Sequence, residues 1–132
     1  MLMASSIVCL ALNIYWEARS EPIAGQLAVA EVTMNRTYSD QFPDDVCSVV
    51  TQKNSSGCQF SWWCDGKSDK PQDKIAWGRA QHVARIYLKN QDIINFVGEA
   101  TFYHADYVDP YWAKTFKKER KIGRHIFYSI DG

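Results

Sequence analysis

Tyr15-Trp16-Glu17-Ala18-Arg19-Ser20-Glu21-Pro22 is the stretch on which the reading of the fold turns. Upstream of it, Ser5 or Ser6 can cap a helix, and Ile7, Leu10, Ala11, Ile14 and Ala18 recur on one broad stripe at helical spacing. A residue before proline avoids the helical region, so Glu21-Pro22 ends that helix near Ala18. Pro22 then suits the first turn of a second helix, expected to run to about Tyr38. In it Ile23, Leu27, Ala30 and Met34 share a face that Val29 and Val32 widen, which predicts the central, largely buried helix of the domain. Residues 39–71 lack that periodicity and are rich in Asp, Ser, Gly, Cys and aromatics, with a short extended piece expected at 59–63. A third helix is expected over residues 72–89, with Ile75, Ala76, Arg79, His82, Val83 and Ile86 at 3–4 spacing and His82 as a partly buried core residue. Residues 100–107 and 122–129 are dense in aromatic and β-branched side chains and read as strands. The pattern predicts one α+β domain over residues 1–132, helices first and a small sheet late.

Composition narrows the function. The chain has 132 residues, and with 46% hydrophobic and 14% aromatic residues it has enough apolar surface to fold rather than stay disordered. Fifteen Lys and Arg balance fifteen Asp and Glu, which argues against a polybasic nucleic-acid binder. No stretch approaches the ~18 consecutive apolar residues that stable membrane insertion needs. The apolar start, residues 1–12, has no Lys or Arg before it and no convincing cleavage site, and reads as the first helix instead of a secretory signal. Charge is uneven along the chain. Lys114, Lys117, Lys118, Arg120, Lys121 and Arg124 crowd one segment, expected as a solvated face or as a rim that attracts an anionic polymer.

The cysteines stand at 9, 47, 58 and 64, spacings that fit no zinc ribbon or finger. An even count in a small domain favours disulfides and an oxidising compartment, with buried free thiols as the alternative. Three connectivities are open. Cys58 and Cys64 can close a short loop, which leaves Cys9 to reach Cys47.

Three clusters are candidates for chemistry. On helical spacing Glu17 continues the stripe of Leu10 and Ile14, and burial there disfavours its charged form. A carboxylic acid still protonated near neutrality can donate a proton to a departing sugar oxygen. The alternative is a structural pair with Arg36. Glu21 stands a turn later, as a loop residue, a helix-start charge, a supporting partner or a contact to the substrate, and Glu31 reads as a satisfied buried acid. Second, Gln59, Phe60, Ser61, Trp62 and Trp63 lie between two cysteines, where aromatic faces can stack on sugar rings and amides bond their hydroxyls; core aromatics beside a disulfide are the alternative. Third, Tyr103 and His104 alternate on opposite strand faces, and either can line a cleft. His82, His104 and His125 are too scattered for a metal site, and no cofactor motif occurs.

The motif with its neighbours resembles a known family. Residues 15–22, then Gly25-Gln26-Leu27-Ala28-Val29-Ala30 and Asn35-Arg36, are similar to the cell wall hydrolase family named for the SleB spore cortex-lytic enzyme. So are Cys58-Gln59-Phe60-Ser61-Trp62, Cys64-Asp65-Gly66, Ala100-Thr101, Tyr103-His104-Ala105 and the closing residues 122–128. One departure is Ser20, where the family usually has glycine, a difference in backbone freedom more than in chemistry. The resemblance implies a lysozyme-like or lytic-transglycosylase-like fold acting on peptidoglycan glycan strands, with Glu17 as the essential acid; a monomer is expected. Attack by the muramic acid's own 6-hydroxyl gives a 1,6-anhydro product. A hydrolytic muramidase is the alternative, and it needs a second carboxylate, for which Glu21 or Glu31 would serve. A zinc amidase and a non-catalytic wall-binding module holding glycan on Trp62, Trp63 and Trp112 are the other classes weighed. The implied place of action is the periplasm or cell wall, reached by export or by holin-assisted release.

Overall fold

A computed structural model describes residues 5–130. Residues 1–4 of the expected first helix lie outside the described residues, as do 131–132. Helix α1 (Ser6–Ala18) is capped by Ser5, whose side chain accepts the Val8 amide hydrogen. It is followed by α2 (Ile23–Thr37), α3 (Val46–Val50) and α4 (Lys74–Lys89). Three strands come late, β3 (Phe102–Ala105), β4 (Lys117–Ile122) and β5 (His125–Ser129), in an antiparallel sheet of order β3-β5-β4. A small hairpin pairs β1 (Lys53–Asn54) with β2 (Gly57–Cys58). The α+β order read from the sequence is therefore the observed one.

Two apolar clusters organise these elements. The larger lies between the four helices and is closed by Phe60 and Trp62; the smaller joins Ala28 and Val32 of α2 to Val97, Ala100, Ile122 and Phe127 around the sheet. Helix α2 stands between them and is buried along most of its length, as its wide apolar face predicts. Tyr103 packs against both clusters, so β3 is held from either side. The disulfides Cys9–Cys47 and Cys58–Cys64 fasten α3 to α1 and close the loop after β2.

Four local expectations need correction. Residues 59–63 are not extended: Ser61–Trp63 form a 3-10 turn, and the pairing strands lie just before it. The inward face of α4 is Ala76, Ala80, Val83, Ala84 and Tyr87, whereas Ile75 is 77% exposed and His82 also faces solvent. Asp73 caps α4 through the Ala76 amide, which starts the helix later than expected, and the small side chains of Ala76, Ala80 and Ala84 take the packed face. The segment at 122–129 is the end of one strand and the whole of another, because Gly123, at φ 57°, makes the turn between β4 and β5. The basic run is thus mostly strand β4, with Lys121 paired to Asp106 at 3.2 Å and Lys117 to Glu119 at 3.9 Å. Finally, a short helix appears at Val46–Val50 where periodicity was absent; Asp45 caps it through the Ser48 amide, and one turn is too brief to show a period.

Candidate active site

Glu17 occupies the last turn of α1, half-buried on the stripe that its spacing predicts. The motif's aromatic residues fix that helix end. Trp16 Nε1 donates to the Asp69 carbonyl at 2.9 Å, and the Tyr15 hydroxyl accepts the amides of Gln72 and Asp73 at 3.2 and 3.0 Å. Arg19 turns away and lies over the Tyr15 and Trp16 rings. One turn before the acid, Asn13 is wholly buried, accepting from Trp62 Nε1 at 2.8 Å and donating to Thr33 at 3.1 Å.

The Tyr103 hydroxyl donates a short hydrogen bond to Glu17 Oε1. Burial raises the Glu17 pKa, and the Tyr103 hydrogen bond and the charge of Arg36 only partly oppose it. The partial negative charge at a helix C-terminus acts in the same direction as burial. A carboxyl held this way keeps its proton to higher pH than an exposed one. Tyr103 stays a phenol, since burial first and the neighbouring acid second push its pKa well above the usual value.

Arg36 supplies the positive field and is not an ion-pair partner of the acid. Its Nε donates to the Thr101 carbonyl at 2.8 Å, and its guanidinium lies 4.6, 4.9 and 5.3 Å from the rings of Phe42, Phe60 and Phe102. Burial lowers its pKa to about 10, with Tyr103 and Glu17 acting against the fall. It stays charged at neutral pH and stabilises a carboxylate that forms nearby.

The remaining sequence candidates divide. Gln59, Ser61 and Trp63 are exposed, Trp63 at 42%, and stand free to meet a ligand. Phe60 and Trp62 do not: Phe60 lies under Arg36 and Trp62 is spent on Asn13, both in the helical core. Strand alternation puts His104 on the sheet face opposite Tyr103, where its ring contacts Trp112 and Tyr128. Both its nitrogens are occupied, by the Ala105 carbonyl at 2.7 Å and the Tyr128 hydroxyl at 2.8 Å. Glu21 also faces inward, its side chain only 7% exposed, and accepts the Arg124 amide at 2.8 Å. Glu31 is a satisfied buried acid, accepting the amides of Phe96 and Val97. Two hollows, of about 380 and 530 Å³, lie beside Asn35 and Tyr38, and neither has Glu17 or Tyr103 in its wall. Sequence reasoning passed over Asn13, which stands one helical turn before the acid, and took His125 only as one of three scattered histidines.

A pH consequence follows from the Tyr103 contact. A general acid works protonated, so its rate falls as pH rises through its pKa. Tyr103→Phe removes an interaction that lowers that pKa, so the alkaline limb of kcat/KM against pH should move upward. The lost hydrogen bond to a charged oxygen should also lower kcat about ten- to hundredfold. Rates measured on both sides of neutrality check both effects; an unmoved limb would remove Tyr103 from the acid's control.

A half-buried carboxyl whose pKa burial raises, a phenol bonded to it and a buried cation behind it form an arrangement suited to general acid chemistry. The chain belongs to the cell wall hydrolase family: the profile described as Cell Wall Hydrolase matches residues 20–128. It is 33% identical over 124 residues to the spore cortex-lytic enzyme of Halalkalibacterium halodurans, covering 93% of this chain and 34% of that protein. The same-named enzyme of Oceanobacillus iheyensis is 33% identical over 125 residues, 93% of this chain and 41% of its own length. The chain thus spans less than half of these curated relatives. Among solved structures it is similar to the catalytic domain of the germination-specific lytic transglycosylase SleB from Bacillus anthracis, with a TM-score of 0.73, 28% identity and 97% of each chain covered. The catalytic domain of the Bacillus cereus SleB protein matches with a TM-score of 0.68 and 27% identity, over 97% of this chain and 93% of that one. The fold is accordingly the lytic-transglycosylase-like one that the sequence motifs imply.

Proposed function

We propose that this domain cleaves the β-1,4 bond between N-acetylmuramic acid and N-acetylglucosamine in peptidoglycan as a lytic transglycosylase. Glu17 gives its proton to the glycosidic oxygen, and the bond from that oxygen to the anomeric carbon breaks. The muramic acid's 6-hydroxyl attacks the same carbon, and the Glu17 carboxylate takes the hydroxyl proton. The acid is regenerated, a 1,6-anhydro ring closes, and no water is consumed. Arg36 and the Tyr103 hydroxyl stabilise the carboxylate between the two transfers.

One observation carries the choice over hydrolysis. Both carboxylates that would serve as a second catalytic group are already engaged, Glu21 by the Arg124 amide and Glu31 by those of Phe96 and Val97. A hydrolytic glycosidase needs a second carboxyl roughly 5–10 Å from the first, free to bind water or the sugar. The site of action is the periplasm or cell wall, the partner is the glycan strand, and the domain acts as a monomer. Exposed Gln59, Ser61 and Trp63 are candidates for contacts to the glycan. No described helix is long and apolar enough to cross a membrane.

Mass spectrometry of digested, purified peptidoglycan tests the reading. The expected products end in 1,6-anhydro-muramic acid, lighter by one water than the hydrolytic products. Reducing muramic ends alone would show a muramidase, and freed stem peptides an amidase. Binding to walls without cleavage would show a binding module.

A further inference from the structure

The second glutamate of the motif has a role that neither acid catalysis nor substrate contact accounts for. Glu21 is buried with no Lys or Arg beside it among the described ion pairs, a costly arrangement for a carboxylate. What faces it is the turn between β4 and β5. The Arg124 amide donates to Oε1 at 2.8 Å, and a Cβ on Gly123 would stand 2.4 Å from the same oxygen. The turn therefore sits directly on the carboxylate, and a side chain at its near corner would both strain the positive φ of Gly123 and displace the carboxylate. The next residue, His125, begins β5. Its Nδ1 is buried, makes no hydrogen bond and lies 3.9 Å from Glu21 Oε1. Its ring packs on Tyr103 with centroids 4.9 Å apart, and Phe127 supports the same tyrosine at 5.4 Å. Tyr103 in turn holds Glu17.

We infer that Glu21 and His125 are positioning residues, which set the Tyr103 ring and through it the catalytic Glu17. The inference rests on the reading of Glu17 as the acid. The α1–α2 junction carries both glutamates, so the segment that presents the acid also holds, through Glu21, the strand that braces the acid's partner. A shift at the turn moves β5, the His125 ring and then the phenol. Displacements of ~1 Å at such a remove lower rates about a hundredfold.

Steady-state kinetics on purified peptidoglycan, with thermal unfolding of each variant, tests it. Glu21→Ala and His125→Ala should each lower kcat about ten- to hundredfold with KM little changed. Glu21→Gln keeps an oxygen for the Arg124 amide and should recover most of the loss, to within about threefold of the parent. Because both residues act through one chain of contacts, the double alanine variant should be scarcely slower than the worse single one. Should Glu21→Ala not fold, Glu21→Gln and His125→Ala still decide. A Glu21→Gln loss as deep as that of Glu17→Gln would make Glu21 a reacting carboxylate and overturn the inference. A raised KM with unchanged kcat would make it a substrate contact, and parent-like kinetics in His125→Ala would break the chain of contacts. If Glu17→Gln itself stays active, the underlying reading fails instead, whatever the Glu21 variants do.

Discussion

Glu17→Gln is expected to lower the rate of peptidoglycan cleavage by roughly 10²–10⁴-fold, the usual contribution of a positioned general acid. The amide is nearly the same shape and its oxygen can still accept from the Tyr103 hydroxyl, so the loss is chemical and not architectural. Stability should move the other way, and pH sets how far. The folded-state pKa of Glu17 is raised, chiefly by burial, above the ordinary 4.5. Below that ordinary value the carboxyl is protonated whether folded or unfolded and carries no penalty. As pH rises through the raised folded pKa the penalty of a buried charge reaches its full size, because the unfolded chain ionises freely. The Gln variant has no such charge. It should unfold at the same temperature as the parent in acid and at a higher one above neutrality. Paired cleavage rates and melting curves at acid and alkaline pH check both halves. A variant that cleaves at the parent rate would remove Glu17 from the mechanism.

The second large effect concerns the Cys9–Cys47 disulfide. Its sequence separation of 38 makes it the longer of the two loops, since Cys58–Cys64 spans only 6. On the loop-entropy argument the long loop contributes about 4 kcal/mol and the short one about 2 kcal/mol. The long bond also ties the one-turn α3 to α1, and an isolated turn of helix does not hold in water. For a domain of this length a loss of about 4 kcal/mol corresponds to a fall in Tm of about 10–15 °C. Replacing both Cys9 and Cys47 by Ala should produce that fall, and replacing Cys58 and Cys64 roughly half of it. Calorimetry of the two double variants gives the comparison. Equal losses would show that loop length is not what governs them.

How much was legible beforehand differs from element to element. The helix ends were readable where a short polar residue or a proline acts on its immediate neighbours: Ser5 caps α1, and Pro22 stands at the start of α2. Proximity along the chain favoured Cys58 with Cys64 among three open connectivities, and the structure has that pairing with Cys9–Cys47. The face of α4 misled, because apolar Ile75 and Ile86 match the helical period yet point outward while small alanines pack inward. Close helix packing selects small side chains, and hydrophobicity alone does not register size. Phe60 and Trp62 misled for a related reason. An aromatic beside a disulfide serves a sugar or a core equally well, and here Asn13 and Arg36 claimed them.

The linear chain by itself placed Glu17 on an apolar helical stripe and helices before a small sheet, and its even cysteine count favoured disulfides, because each of these depends on neighbours within a few turns or on a count. Only the tertiary structure decided how the acid is buried and which groups hold it in place. Tyr103 arrives from 86 residues away and the Arg124 amide meets Glu21 across 103. Contacts at that range form when separate elements bury their apolar faces against one another, and no local periodicity encodes which polar groups are then left face to face.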